Sequence, residues 1–374
     1  MSPAEPTQSI SGAVPPIVIE ELKKRFHGFP VPVPAEPFDA TSASPEQLQE
    51  FGLPPRPDPA TQPLLREAWD RAFGKSLILQ PFSVEERLID DVRYRPQIRR
   101  VYERLVTATR FETSRNWSGA YITANRGKHF IQIWGVWAVP GNLRLPPGGS
   151  PGIDYVCSNW IGLDGQRLYF DSSLPQIGTQ STLQANGTTK AEAWTQWWAR
   201  DLVTNKPPLP LPNFAVAPGD QVAAVLTVID PQTVICVMVN LSAQPWPIGT
   251  SVMATSPPVR LPDTTIAMPE IAGATAEWVL ERPAVFPPVF GPFGDPQLDN
   301  FPDYGETEFD FCLAVEGDSV DIVSLPAGTP QVLQGARRIR MFDVLQSPEH
   351  AALISMPERR SDTVVRVRYG GFRT

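Results

Sequence analysis

Forty-three prolines in 374 residues constrain this chain more tightly than any other feature. Each proline fixes φ and lacks a backbone N–H. It suits loops, strand edges and extended segments, and disrupts a helix interior or central strand. With 26 glycines added, the punctuation is too dense for a helical bundle. It fits strands joined by irregular connections, in a chain long enough to bury a substantial core.

The first 60 residues are rich in Pro, Ser, Ala and Glu and read as extended or disordered. Ile17 to Phe26 is an exception, with apolar residues at roughly helical spacing. Residues 61–112 read as a helical extension. Leu64 to Trp69 opens an amphipathic helix that Gly74 ends. Ser83-Val84-Glu85-Glu86 resembles an N-cap leading into a second helix, which Pro96 splits. Arg93, Arg95, Arg99, Arg100, Arg104, Arg110 and Arg115 make its end basic. From about residue 113 the pattern is strand-like. Phe130 to Trp137, Ala276 to Glu281, and the pair Asp220–Ile229 and Val234–Leu241 all carry β-branched, aromatic or alternating residues. Asp230-Pro231-Gln232-Thr233 reads as a hairpin turn within that pair. Arg338 to Leu345 and Thr363 to Tyr369 add strand candidates in a C-terminal extension, residues 316–374. The expected fold is all-β, an antiparallel β-sandwich of the concanavalin A/lectin-like jelly-roll kind. A partly helical, Pro-rich N-terminal extension precedes it.

Several chemistries lack their parts. The net charge is −8, without a basic stripe, which argues against a nucleic-acid surface. No segment approaches the length of a membrane span. The three cysteines, Cys157, Cys236 and Cys312, are too scattered for a zinc site or a disulfide scaffold. There are three histidines, His27, His129 and His350, and no G-x-S-x-G or H-E-x-x-H motif surrounds any nucleophile or ligand. Asp171-Ser172-Ser173 lacks the glycine of an aspartic-protease motif. Gly148-Gly149-Ser150-Pro151-Gly152 reads as a loop, since no helix start follows to bind an anion. Carboxylate chemistry, carboxylate–amide chemistry or binding alone remain, with no cofactor and no metal expected.

Six segments then occur in order. They are Asn116-Trp117-Ser118-Gly119-Ala120, Trp160-Ile161-Gly162-Leu163-Asp164-Gly165, Pro175-Gln176-Ile177-Gly178, Ala193-Trp194-Thr195-Gln196-Trp197-Trp198, Ala276-Glu277-Trp278-Val279-Leu280-Glu281, and Phe301-Pro302-Asp303-Tyr304-Gly305. Together they resemble the glutamic peptidases, or eqolisins, over roughly residues 113–315. The resemblance implies a two-sheet sandwich and a catalytic pair, Glu277 and Gln176. It implies endopeptidase action on polypeptides with an acidic preference, and a substrate cleft involving Trp160, Asp164, Gly178, Gln180 and Trp194. Gln180 replaces the aspartate usual in the family, and the loop between Asp164 and Gln176 is slightly longer. Those departures, with 32 basic residues, argue against carrying over a very acidic optimum. The family habit is secretion with a cleaved propeptide. The N-terminus here has no basic region or apolar run of a signal peptide, which reads as cytoplasmic.

Each residue also has a plainer role open to it. By alternation Glu277 could face solvent. Gln176 could be an ordinary polar residue, and Asp164 a turn former before Gly165. Trp194, Trp197 and Trp198 read as core and cleft wall. A carbohydrate- or peptide-binding sandwich is the main alternative function. A glycosidase using Glu277 with Glu281 or Asp164 ranks last. Residues four apart on one strand lie about 13 Å apart, too far for such a pair. The arginines of Arg93–Arg115 suggest a removable cover over an acidic cleft.

Overall fold

The computed structural model describes residues 34, 36–81, 83–85, 111–165, 173–199, 208–211, 213–257, 259–260, 266–285, 297–320, 328–344 and 351–370. Two helices come first, α1 (Pro45–Glu50) and α2 (Pro63–Phe73). Each begins with a proline in its first turn, where the missing N–H costs no hydrogen bond. Ser44 caps α1 in a reciprocal box with Gln47. Gly74 ends α2, its N–H donating to the Asp70 carbonyl.

The strands follow in chain order. First come β1 (Ile78–Leu79), β2 (Ser83–Glu85), β3 (Phe111–Ser114), β4 (Trp117–Thr123), β5 (His129–Ala138), β6 (Tyr155–Leu163), β7 (Ser173–Leu183) and β8 (Thr189–Ala199). Next are β9 (Leu209–Pro210), β10 (Gln221–Asp230), β11 (Thr233–Asn240), β12 (Ile248–Thr255), β13 (Val259–Arg260), β14 (Ile266–Ala267) and β15 (Thr275–Glu281). The last are β16 (Ala284–Val285), β17 (Gln297–Leu298), β18 (Glu306–Gly317), β19 (Thr329–Gln331), β20 (Arg337–Val344), β21 (Ala351–Arg359) and β22 (Val365–Tyr369).

Two sheets face each other. The front one runs β9–β8–β7–β6–β15–β4–β20, with β3 parallel to β20. The back one runs β18–β5–β10–β11–β12, and β1 and β2 add to β12 in parallel. The sandwich is therefore antiparallel apart from these N-terminal additions. Strand alternation sends Ala276, Trp278 and Leu280 of β15 inward to meet Ile161, Ile177, Leu226 and Met238. A second apolar cluster lies on the outer face of the back sheet, where Trp69 and Phe73 of α2 cover Trp134, Val136, Val225 and Val237.

Several expectations are modified. Residues 36–60, read as extended or disordered, carry α1 and bury Ala40, Leu48 and Leu53. Ser83–Glu85 is strand rather than helix cap, because pairing with Val252–Ala254 at the sheet edge overrides the local cap signal. Residues 17–26 and Arg93 to Arg110 lie outside the described residues. The C-terminal segment is not appended to the sandwich. Arg337–Ile339 of β20 pairs with β4, and β22 pairs with Glu306–Phe309 of β18. Among the described residues no helix is long and apolar enough to cross a membrane.

Candidate active site

Sheet register brings the motif residues together. Glu277 of β15 lies opposite Gly162 of β6, and Gly162 lies opposite Gln176 of β7. The row continues to Gln196 on one side and to Tyr121 on the other. All these positions face outward from the front sheet. Gly162 carries no side chain, so the Glu277 and Gln176 side chains flank a bare backbone position, over which Leu174 Cδ1 packs, 2.8 Å from where a Cβ would lie. Two strand spacings set their Cα atoms about 10 Å apart.

Both polar groups are enclosed. Glu277 is 1% exposed and Gln176 5%. The solvent-facing alternative for Glu277 therefore does not hold. Thr275, two residues earlier on the same face, donates its hydroxyl to Glu277 Oε1 at 2.5 Å. Gln176 donates Nε2–H to Gln196 Oε1 at 2.7 Å. Gln176 Oε1 is buried and has no hydrogen-bond partner among the described residues. A buried amide oxygen in that condition is ready for a donor such as water or substrate.

The rows on either side build the walls. Trp194, Gly178, Trp160 and Val279 stand across β8, β7, β6 and β15. Trp117, Tyr121, Trp160, Leu174, Trp194 and Trp198 form one apolar cluster. A Cβ on Gly178 would lie 2.6 Å from Trp160 Cβ and 2.9 Å from Trp194 Cζ2, so the indoles pack over the bare backbone. Trp197 instead points into the inter-sheet core. Gln180 is on the cleft face but about 13 Å along β7 from Gln176. It reaches Glu192 at 3.4 Å.

Asp164 is not in the cleft. It is fully buried, in the left-handed region at φ 61°. Its carboxylate accepts backbone N–H bonds from Ala272, Gly273, Ala274 and Thr275, at 2.6, 2.9, 2.6 and 3.3 Å. Burial raises its pKa, and the N–H groups of Ala274, Gly273, Ala272 and Thr275 oppose that shift. The residue anchors the entry to β15 two residues before Glu277.

Three contributors were not assigned to this site from the sequence, although Gln196 and Glu281 lie within the quoted segments. Gln196 and Thr275 become partners of the pair only through register and strand alternation. Glu281 closes the same strand face, accepting from Trp117 Nε1 at 3.0 Å and Trp160 Nε1 at 2.7 Å. Among the described residues no group of three or more His, Cys, Asp or Glu side chains could hold a metal ion.

The Peptidase A4 family matches residues 115–340, more than half of the chain. The match extends past residue 315 into β20. Solved structures align over 68% of this chain and 98% of theirs. One is "Crystal structure of Scytalido-glutamic peptidase with a peptide based transition state analog", at 15% identity and TM-score 0.46. Another is "Structure of SCP-B a member of the Eqolisin family of Peptidases in a complex with a Tripeptide Ala-Ile-His", at 16% identity and TM-score 0.45. No curated protein sequence matches the chain.

Proposed function

The chain belongs to the Peptidase A4 family, the glutamic peptidases, and from that premise we propose that it cleaves polypeptides with Glu277 and Gln176 as its reacting pair. The observation carrying this reading is the register row in which both enclosed side chains flank the bare Gly162. A water bound between them attacks the peptide carbonyl and gives a proton to the Glu277 carboxylate. The carbonyl oxygen gains the negative charge. The Gln176 N–H not engaged by Gln196 donates to it, an interaction of about 3–4 kcal/mol in the transition state. Protonated Glu277 then passes its proton to the leaving amine as the C–N bond breaks, which regenerates the carboxylate.

The competing readings lose support at the same residues. Trp160, Trp194 and Trp198 are 0%, 4% and 8% exposed, too enclosed for a sugar-stacking platform. Glu281 is engaged by two indoles and Asp164 by four backbone N–H groups, so neither suits a glycosidase partner.

The test is cleavage of a denatured protein from about pH 2 to 8, a range spanning carboxylate titration. The expected result is pepstatin-insensitive cleavage, strongest on the acidic side. It is lost in Glu277→Gln and reduced about 100-fold or more in Gln176→Ala. Cleavage that persists in Glu277→Gln removes the pair from consideration.

A further inference from the structure

Glu281 ends the strand that carries Glu277 and faces the same way, four residues on. Its carboxylate bridges two tryptophans. Oε1 accepts from Trp117 Nε1 at 3.0 Å and from Asn116 Nδ2 at 3.3 Å, and Oε2 accepts from Trp160 Nε1 at 2.7 Å. The two indoles meet edge to face, with ring centroids 5.0 Å apart. An indole nitrogen can only donate, so both carboxylate oxygens must accept to satisfy the pair.

The far edge of Trp117 lies near the reacting carboxylate. A Cβ on Gly165 would lie 3.1 Å from Trp117 Cη2 and 3.0 Å from Glu277 Cδ. The ring edge and the carboxyl group therefore close over the same bare backbone position. Trp117 spans from one glutamate to the neighbourhood of the other.

We propose that Glu281 is a positioning residue: by clamping the indole N–H groups of Trp117 and Trp160 it fixes the aromatic wall against which Glu277 works. The inference rests on the Glu277–Gln176 reading of the cleft. Burial pushes the Glu281 carboxyl up to about 7, against the opposing pull of the Trp117, Trp160 and Asn116 donors. Ser158 stands opposite it on β6, and the neighbouring Arg282 is committed to Asp343 and the Asp299 carbonyl. No cation among the described residues contributes to its shift. Protonation turns one oxygen into a hydroxyl, a donor and a poorer acceptor, so its bond from an indole N–H weakens and the clamp loosens.

The spectroscopic arm uses the full chain carrying Glu277→Gln, which removes the titration of Glu277 and any need for cleavage. Tryptophan fluorescence is followed across neutral pH. The expected result is a step centred near 7, absent once Glu281→Gln is added. In Trp117→Phe the step moves to higher pH, because the carboxylate has lost a donor. A step that survives Glu281→Gln, or does not move in Trp117→Phe, overturns the proposal. The kinetic arm keeps Glu277. At about pH 8, where Glu281 is ionised and the clamp closed, Glu281→Gln lowers kcat about tenfold or more with KM within about twofold, as loss of positioning predicts, and the difference shrinks on the acidic side. A folded Glu281→Gln enzyme with unchanged kcat at that pH also overturns it. Should Glu277→Gln remain active, the dyad reading fails in its own assay while the spectroscopic arm still reports on the clamp.

Discussion

Asp164 illustrates how one buried side chain can organise a neighbouring strand. Its carboxylate gathers four consecutive backbone N–H groups at the start of β15. Asp164→Ala leaves those donors buried without acceptors, which should cost about 3 kcal/mol or more. Urea denaturation measures that loss, and activity should fall with it because Thr275 and Glu277 follow directly. Glu281 makes a pH prediction of definite sign. Its folded pKa of about 7 lies above the ordinary 4.5, so the folded state holds the proton more tightly. The stabilisation from this group is complete below about 4.5, declines as pH rises and is gone above about 7. The thermal midpoint of Glu281→Gln should lack that decline when both proteins are melted across this range. Glu277 and Gln176, the proposed pair, were singled out in the sequence by ordered motifs, and strand register sets them in one row. The partnership of Gln196 and Thr275 was not legible there, because hydrogen-bond partners across strands depend on register. The burial of Asp164 was hidden for a similar reason: a loop a hundred residues away folds back over it.

Among the elements, the strands were easier to read than their neighbours. The hairpin β10–β11 turns at the expected Pro231-Gln232, and β15 follows the alternation of Ala276 to Glu281. Local signals failed where a distant partner decided the outcome. Ser83–Glu85 has the look of a helix start, yet the open edge of β12 offers it hydrogen bonds along its length. The crossing of β6, β7 and β8 depends on the bare position at Gly178. In Gly178→Ala the added Cβ would lie 2.5 Å from the Asn159 carbonyl oxygen. Overpacking of this kind costs about 1–3 kcal/mol. The wall formed by Trp160 and Trp194 should be displaced with it. Chemical denaturation and kcat/KM of that variant check both effects together.

Seen whole, the protein has three layers: front sheet, back sheet and the N-terminal helices. The helices occupy the outer face of the back sheet, so both sheets separate them from Glu277 and Gln176. Residues 36–79 thus serve as a wall of the fold and not as a cover for the cleft. Trp69 is fully buried between that wall and the back sheet. Trp69→Ala should destabilise the protein by about 3–5 kcal/mol. Deleting the first 80 residues bares Ile131, Trp134, Val136, Val225 and Val237, a contiguous apolar surface. The shortened protein should aggregate, as light scattering would show. The composition of the first 60 residues concealed this role, because a few buried leucines among many prolines suffice once a sheet is present to receive them.

Strand β18 gives the sandwich a closed side and an open one. Its first residues pair with β22 and its later ones with β5, so hydrogen bonds run unbroken from β4 through β20, β21, β22 and β18 to the back sheet. On the far side, among the described residues, the short β9 and the N-terminal strands along β12 bring no such link between the sheets. The molecule is in effect a book bound along one spine. Loss of structure should begin at the page edges and reach the binding last, so amides of β8 and β12 exchange with deuterium before those of β18 and β22.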